Sequence, residues 1–198
     1  MPRPIWTTIC LCAAAAAQAP APFRPASLFG DHMVLPAGRE VSVHGTGEPG
    51  RSVRVAPSWA EPVETSVRGD GRWQVAVAVP ARGTAGELVL SCGDEVVRCR
   101  DVLSGDVWLA SGQSNMEMPL EDRGGGFRGV ADWRAEVAAA DAPQLRVFTV
   151  ERQASAAPAP SVTGRWQVCS PATAGSFSAV GYVFARELVE QGRGPIGL

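Results

Sequence analysis

From Phe23 to about Arg100 apolar and polar residues alternate with a period of two in short runs: Val41-Ser42-Val43, Ser52-Val53-Arg54-Val55, Trp73-Gln74-Val75-Ala76-Val77 and Leu88-Val89-Leu90. A strand points successive side chains to opposite faces, so these runs predict half-buried β-strands. Pro49-Gly50, Gly69-Asp70-Gly71 and Gly93-Asp94 separate them and suit tight turns. No helical stripe of ordinary length intervenes. The pattern predicts a small β-sandwich or jelly-roll domain over residues 20–102. Met33-Val34-Leu35 is apolar enough to be an early strand or a seam against the next domain.

The composition changes at Asp101 to Gly105, and Asp106-Val107-Trp108-Leu109-Ala110 reads as a strand covered on both faces, as in a parallel sheet. It empties into Gly112 and a polar cluster, Gln113-Ser114-Asn115, followed by Met116-Glu117-Met118. Glu121 to Gly126 is a glycine-rich loop without the lysine and Ser/Thr of a phosphate cradle. Val130, Trp133 and Val137 predict a helix over 130–140 that Pro143 ends. Leu145 to Val150 alternates as a strand, Ala154 to Pro160 reads as an exposed linker, and Trp166 to Cys169 as a short extended piece. Phe177, Val180, Gly181, Phe184 and Leu188 form the clearest helical stripe, with Arg186, Glu187 and Glu190 toward the outside. Thr173 or Ser176 caps its start, Gly192 or Gly194 its end, and Gly181 implies close approach to a sheet. Pro195 to Leu198 then begins a parallel strand. Strand, helix and strand make a crossover unit, so residues 103–198 are expected to be the N-terminal part of an incomplete α/β domain, which makes the chain a fragment.

Bulk numbers narrow this little. The 198 residues are 45% hydrophobic and 19% charged, with a formal net charge of -2, which supports a real core and gives no steering toward nucleic acid or an anionic membrane. Arg3 before the alanine-rich run Ile5 to Ala17, with small-x-small patterns at Ala15-Ala16-Ala17 and Ala17-Gln18-Ala19, reads as a signal peptide over residues 1–19. The run is too short for a comfortable membrane span, so the mature protein is expected to be secreted, periplasmic or lysosomal without a membrane anchor. Cys12 lacks the small residue usually wanted before a lipidated cysteine. Cys92, Cys99 and Cys169 match no zinc spacing and form no disulfide framework. An oxidising compartment allows a bridge between Cys92 and Cys99, but a hairpin at Gly93-Asp94 sets Cys92 opposite Glu95, which favours free buried thiols. His32 and His44, the only histidines, fall in the β region and read as solvent-facing or seam-packing groups.

The chemistry converges on Ser114. A strand for rigidity, a glycine where the chain turns and a hydroxyl at the strand's carboxyl end are what a hydrolytic nucleophile needs. Serine further requires a base for its proton and donors for the oxyanion. The backbone N–H of Ser114 is one such donor, while Gln113 and Asn115 fix the turn or touch substrate. Glu117 reads as a capping or supporting carboxylate, and Met116 and Met118 as pocket lining or core. Met116 stands where a Gly-x-Ser-x-Gly elbow has glycine, so the common α/β-hydrolase pattern is not supported.

The block Gly105-Asp106-Val107-Trp108-Leu109-Ala110-Ser111-Gly112-Gln113-Ser114-Asn115-Met116-Glu117-Met118 resembles the nucleophile block of the sialate O-acetylesterase family, a branch of the SGNH or GDSL-like hydrolases. Leu28 to Leu35, Ser170 to Ala174, Phe177 to Tyr182 and Pro195 to Leu198 extend the resemblance over almost all of the mature chain. Ala110 stands where the family commonly has cysteine. The resemblance implies an N-terminal β domain followed by a flavodoxin-like α/β/α catalytic domain, no cofactor or metal, and removal of O-acetyl groups from sialic acids or related sugars. It makes Ser114 the nucleophile, with its own N–H in the oxyanion hole, and puts a glycine-rich oxyanion segment and an Asp-x-x-His pair beyond Leu198. On that expectation the 198 residues alone hydrolyse little. The alternatives are an esterase for acetyl-xylan or another polysaccharide, and a noncatalytic carbohydrate-binding fragment.

Overall fold

The alternating runs become strands because each buries one face. In the computed structural model, which describes residues 21–124, 126, 128–157, 159 and 161–198, these are β1 (Arg24–Pro25), β2 (Val34–Pro36), β3 (Glu40–Thr46), β4 (Ser52–Pro57), β5 (Val63–Ser66), β6 (Arg72–Ala78), β7 (Ala85–Cys92) and β8 (Glu95–Val107). The expected leader, with Cys10 and Cys12, lies outside the described residues, as do Gly125, Phe127, Pro158 and Pro160 of the two expected loops. Strands β1, β3 and β6 form one sheet, while β5, β4, β7 and β8 pair in that order in another. Val43 and Trp73 from the first meet Val53, Val55, Leu88, Leu90 and Cys99 from the second in a common core. Gly50, Gly71 and Gly93 take positive φ at the expected turns, a region that glycine enters without steric cost.

The composition change at Asp101 to Gly105 marks no break in the backbone. Strand β8 is continuous for 13 residues, pairing with β7, then with β2 at Leu103 to Gly105, then with a later strand at Asp106 and Val107. The strand expected over Asp106 to Ala110 is therefore the tail of β8, and it stops at Val107. Nor is it covered on both faces: Val107 and Trp108 are exposed, and Leu109 is 89% exposed. The tail also has a sheet neighbour on one side only, since β2 ends at Pro36 opposite Gly105.

Beyond the tail come α1 (Ser114–Glu117), α2 (Trp133–Ala138), β9 (Ala142–Phe148), β10 (Trp166–Cys169), α3 (Ala179–Glu190) and β11 (Ile196–Gly197). Strand β11 lies parallel between β8 and β9, which realises the expected crossover, and β10 is antiparallel to β9. Helix α2 is shorter than expected, because Asp132 adopts a left-handed φ of 54° and Val130 falls before it. Pro143 sits within β9.

Helix α3 also departs from its expected start and face. Phe177 is extended, residues 174–176 make a 3-10 turn, and the cap is Ser178 rather than Thr173 or Ser176. The buried face is Ala179, Gly181, Tyr182, Ala185 and Leu188, while Val180 and Phe184 are exposed. Small residues allow this orientation: a Cβ on Gly181 would lie 2.7 Å from Leu198 Cδ2 and displace that side chain, so glycine keeps the helix close to the end of the sheet. At the other end Gly192, with φ 74°, donates to Val189 O and Arg193 donates to Leu188 O, the paired bonds of a Schellman cap. A second core, built on Leu120, Leu145, Phe177, Tyr182, Leu188 and Ile196, lies under α3.

Candidate active site

The turn that carries Ser114 grows out of the tail of β8. Trp108 donates its backbone N–H to Gly197 O at 2.8 Å, the last pairing before the chain leaves the sheet. Residues Leu109 to Gly112 are irregular, and α1 then opens with Ser114 as its first residue. Gln113 O accepts from Met116 and Glu117, and Ser114 O from Met118, at 2.9 to 3.1 Å. At Gly112 a Cβ would come within 3.1 Å of Met116 Cβ, so the turn closes on itself.

Ser114, Gln113 and Asn115 are all exposed. Among the described residues neither the hydroxyl nor the N–H of Ser114 makes a hydrogen bond, which leaves a free backbone donor and a free hydroxyl on one exposed residue. Glu117, one helical turn on, forms an ion pair with Arg152 of the β9–β10 connection, a partner that nothing in the local sequence announces. The two methionines separate in role. Met118 packs against the core under α3, whereas the Met116 Sδ accepts the Ser178 hydroxyl at 3.4 Å.

The histidines lie elsewhere. His44 Nδ1 is 3.1 Å from Ser42 O, and its ring meets Phe29 edge-on. His32 Nδ1 is 2.7 Å from Asp101 Oδ2, at a seam between the two cores. There Asp101 also accepts two bonds from the buried Arg146, at 2.6 and 3.3 Å. The Arg146 guanidinium, with His32 second, holds the Asp101 carboxyl below the usual carboxylate range against an opposing contribution from burial. Both His32 and Asp101 take left-handed φ, 67° and 53°, a conformation that non-glycine residues keep only where their surroundings fix it. Arg82 braces the same seam by reaching Asp106 Oδ1 at 2.6 Å and the Arg193 carbonyl.

The three described cysteines are free and buried, and Cys92 stands opposite Glu95 as the hairpin register required. Burial pushes the Cys99 thiol up to about 12 and the Cys169 thiol to about 11, so neither is a nucleophile at neutral pH. Among the described residues no group of three His, Cys, Asp or Glu side chains is placed to hold a metal ion, and no helix is long and apolar enough to cross a membrane.

The mixed α/β fold, rich in sheet, is consistent with an esterase-like architecture. Its relatives are more particular. Rat sialate O-acetylesterase is 30% identical over an alignment that takes in all of this chain, and human sialate O-acetylesterase is 30% identical over 89% of it. The crystal structure of a carbohydrate acetylesterase from Xanthomonas citri superposes with a TM-score of 0.80 at 35% identity, over 88% of this chain. No family model matches. The chain spans 39% of the rat enzyme, 36% of the human enzyme and 39% of the Xanthomonas chain. The likeness is family-level homology to the sialate O-acetylesterases and related carbohydrate esterases.

Proposed function

We propose that this chain carries the nucleophile of a sialate O-acetylesterase-like enzyme, and that Ser114 is that nucleophile. The observation that carries the reading is the exposed, unengaged Ser114 hydroxyl in the turn that follows β8, within a chain homologous to carbohydrate acetylesterases. In the reaction Ser114 Oγ bonds to the acetyl carbonyl carbon, its proton passes to a base, and the Ser114 N–H donates to the oxyanion. The sugar oxygen leaves with a proton, and water then cleaves the acetyl-enzyme to acetate. Gln113 and Asn115 flank the reacting carbonyl and orient substrate. No step needs a cofactor.

The same reading takes residues 20–102 as a β-sandwich module and residues 103–198 as the beginning of an SGNH-type, flavodoxin-like domain, supported by the parallel order β8, β11, β9. It takes residues 1–19 as a leader that sends the enzyme out of the cytoplasm. A second substrate reading is an acetylated polysaccharide such as acetyl-xylan, a class that the Xanthomonas protein's description as a carbohydrate acetylesterase includes.

Acetate release from O-acetylated sialic acid and from acetyl-xylan by the full-length enzyme tests both. Ser114→Ala is expected to reduce turnover of the better substrate by at least about a thousandfold while leaving sugar binding largely intact. Turnover near the normal rate in that variant would remove Ser114 from the mechanism, and a preference for acetyl-xylan would move the substrate to the polysaccharide class.

A further inference from the structure

The nucleophile turn has little hold of its own. Helix α1 is four residues long, buries none of them and has no side-chain cap, so its internal hydrogen bonds face solvent. Apart from the Glu117–Arg152 ion pair, what fixes it comes from the start of α3. Met118 O accepts the Ala179 N–H at 2.8 Å, Leu120 donates to Phe177 O at 3.0 Å, and Pro119 bridges Ser178 in antiparallel fashion. Ser178 is the centre of this joint. Its Oγ accepts the Gly181 N–H at 3.2 Å, which caps α3, and the same hydroxyl donates its proton to Met116 Sδ at 3.4 Å. Met116 in turn closes against Gly112, on the other side of Ser114.

We propose that Ser178 is a positioning residue for Ser114: one hydroxyl, acting as acceptor toward α3 and as donor toward Met116, ties the nucleophile turn to the helix that rests on β11. The catalytic consequence depends on Ser114 being the nucleophile; the mechanical coupling does not. An oxygen that must accept and donate at once restricts the position to serine or threonine. Aspartate satisfies the cap, since a carboxylate accepts the Gly181 N–H, but it has no proton for the sulfur.

This difference separates positioning from simple stability. Hydrogen exchange at the Met116, Glu117 and Met118 amides reads the coupling, and kcat and KM on an acetyl ester read its consequence in the full-length enzyme. Ser178→Asp is expected to keep the melting temperature, to speed exchange at the three amides about tenfold and to lower kcat about tenfold with KM within twofold, because small misplacement of a reacting group is costly. Ser178→Thr is expected to restore both. Should the Ser178 variants fold poorly, Met116→Leu keeps the packing on Gly112, removes the sulfur acceptor and is expected to speed exchange in the same way.

Wild-type exchange and kcat in Ser178→Asp, or in Met116→Leu where the Ser178 variants do not fold, would overturn the proposal, as would kcat losses that merely follow melting temperature. If Ser114→Ala retained turnover, the nucleophile assignment would fall while the exchange result still decided the coupling.

Discussion

Between Arg24 and Val102 the strands hide alternate side chains in one core, where Met33, Val43, Val53, Val55, Trp73, Leu88, Leu90 and Cys99 have essentially no exposed surface. Between Leu109 and Glu117 no side chain is buried at all. The first region is held by packing, which is strong and spread over many contacts. The second is held by the Ser178 bond to Met116, the Glu117–Arg152 ion pair and the bonds of Met118 and Leu120 just beyond it, which leaves Ser114 exposed. Order at Ser114 is therefore borrowed from the start of α3 and the β9–β10 connection, and the two regions are expected to fail differently when altered.

The largest effect is expected in the packed region. Trp73 is 1% exposed, stacks on Phe23 with ring centroids 5.5 Å apart and donates its indole N–H to Thr46 O. Trp73→Ala is expected to cost about 3–5 kcal/mol in denaturant unfolding, the range for emptying a large aromatic site. Ser114→Ala, by contrast, is expected to change stability by no more than about 0.5 kcal/mol, as at other exposed positions. Comparable losses from the two substitutions would erase the distinction.

A smaller effect is expected at the seam. Arg146→Ala removes a buried guanidinium and leaves Asp101 with His32 alone; because the Asp101 side chain is 43% exposed, water compensates much of the loss, and about 2 kcal/mol is expected instead of the larger cost of breaking a fully buried pair. The pH dependence sharpens this. The Asp101 carboxyl is held low in the folded protein, so its contribution is fully present above the unfolded value of about 4 and is lost as pH falls below that through the lowered folded value. Acid unfolding followed by far-UV circular dichroism is expected to begin at higher pH in Arg146→Ala than in the wild type. Coincident acid transitions would mean that the Asp101 pairing does not stabilise the seam.

Much of the β region was legible in the sequence because its physics is local. Val41-Ser42-Val43 and Trp73 to Val77 announce strands by alternation, and the glycines at 50, 71 and 93 announce the turns. Strand β8 was harder, because Arg100, Asp101 and Gly105 look like a linker while the ladder passes through them unbroken. Helix α3 was legible as an element but not in its facing, since Ala179, Gly181 and Ala185 carry the contact and a stripe drawn through the large apolar residues misses them. Ser114 stood out from its own neighbours. Ser178 and Arg152 did not, because their links to Met116 and Glu117 join residues 62 and 35 positions apart and leave no periodic trace. Only the paired hydrogen bonds of the folded chain bring them to the turn.

The most direct test of the central claim is covalent. An alkyl fluorophosphonate reacts with a serine whose oxygen is activated, and peptide mass spectrometry of the treated full-length enzyme locates the adduct. The adduct is expected on Ser114 alone, in step with loss of acetate release, with none on the neighbouring Ser111. Labelling that persists in Ser114→Ala, or that falls on another serine as activity disappears, would contradict the assignment.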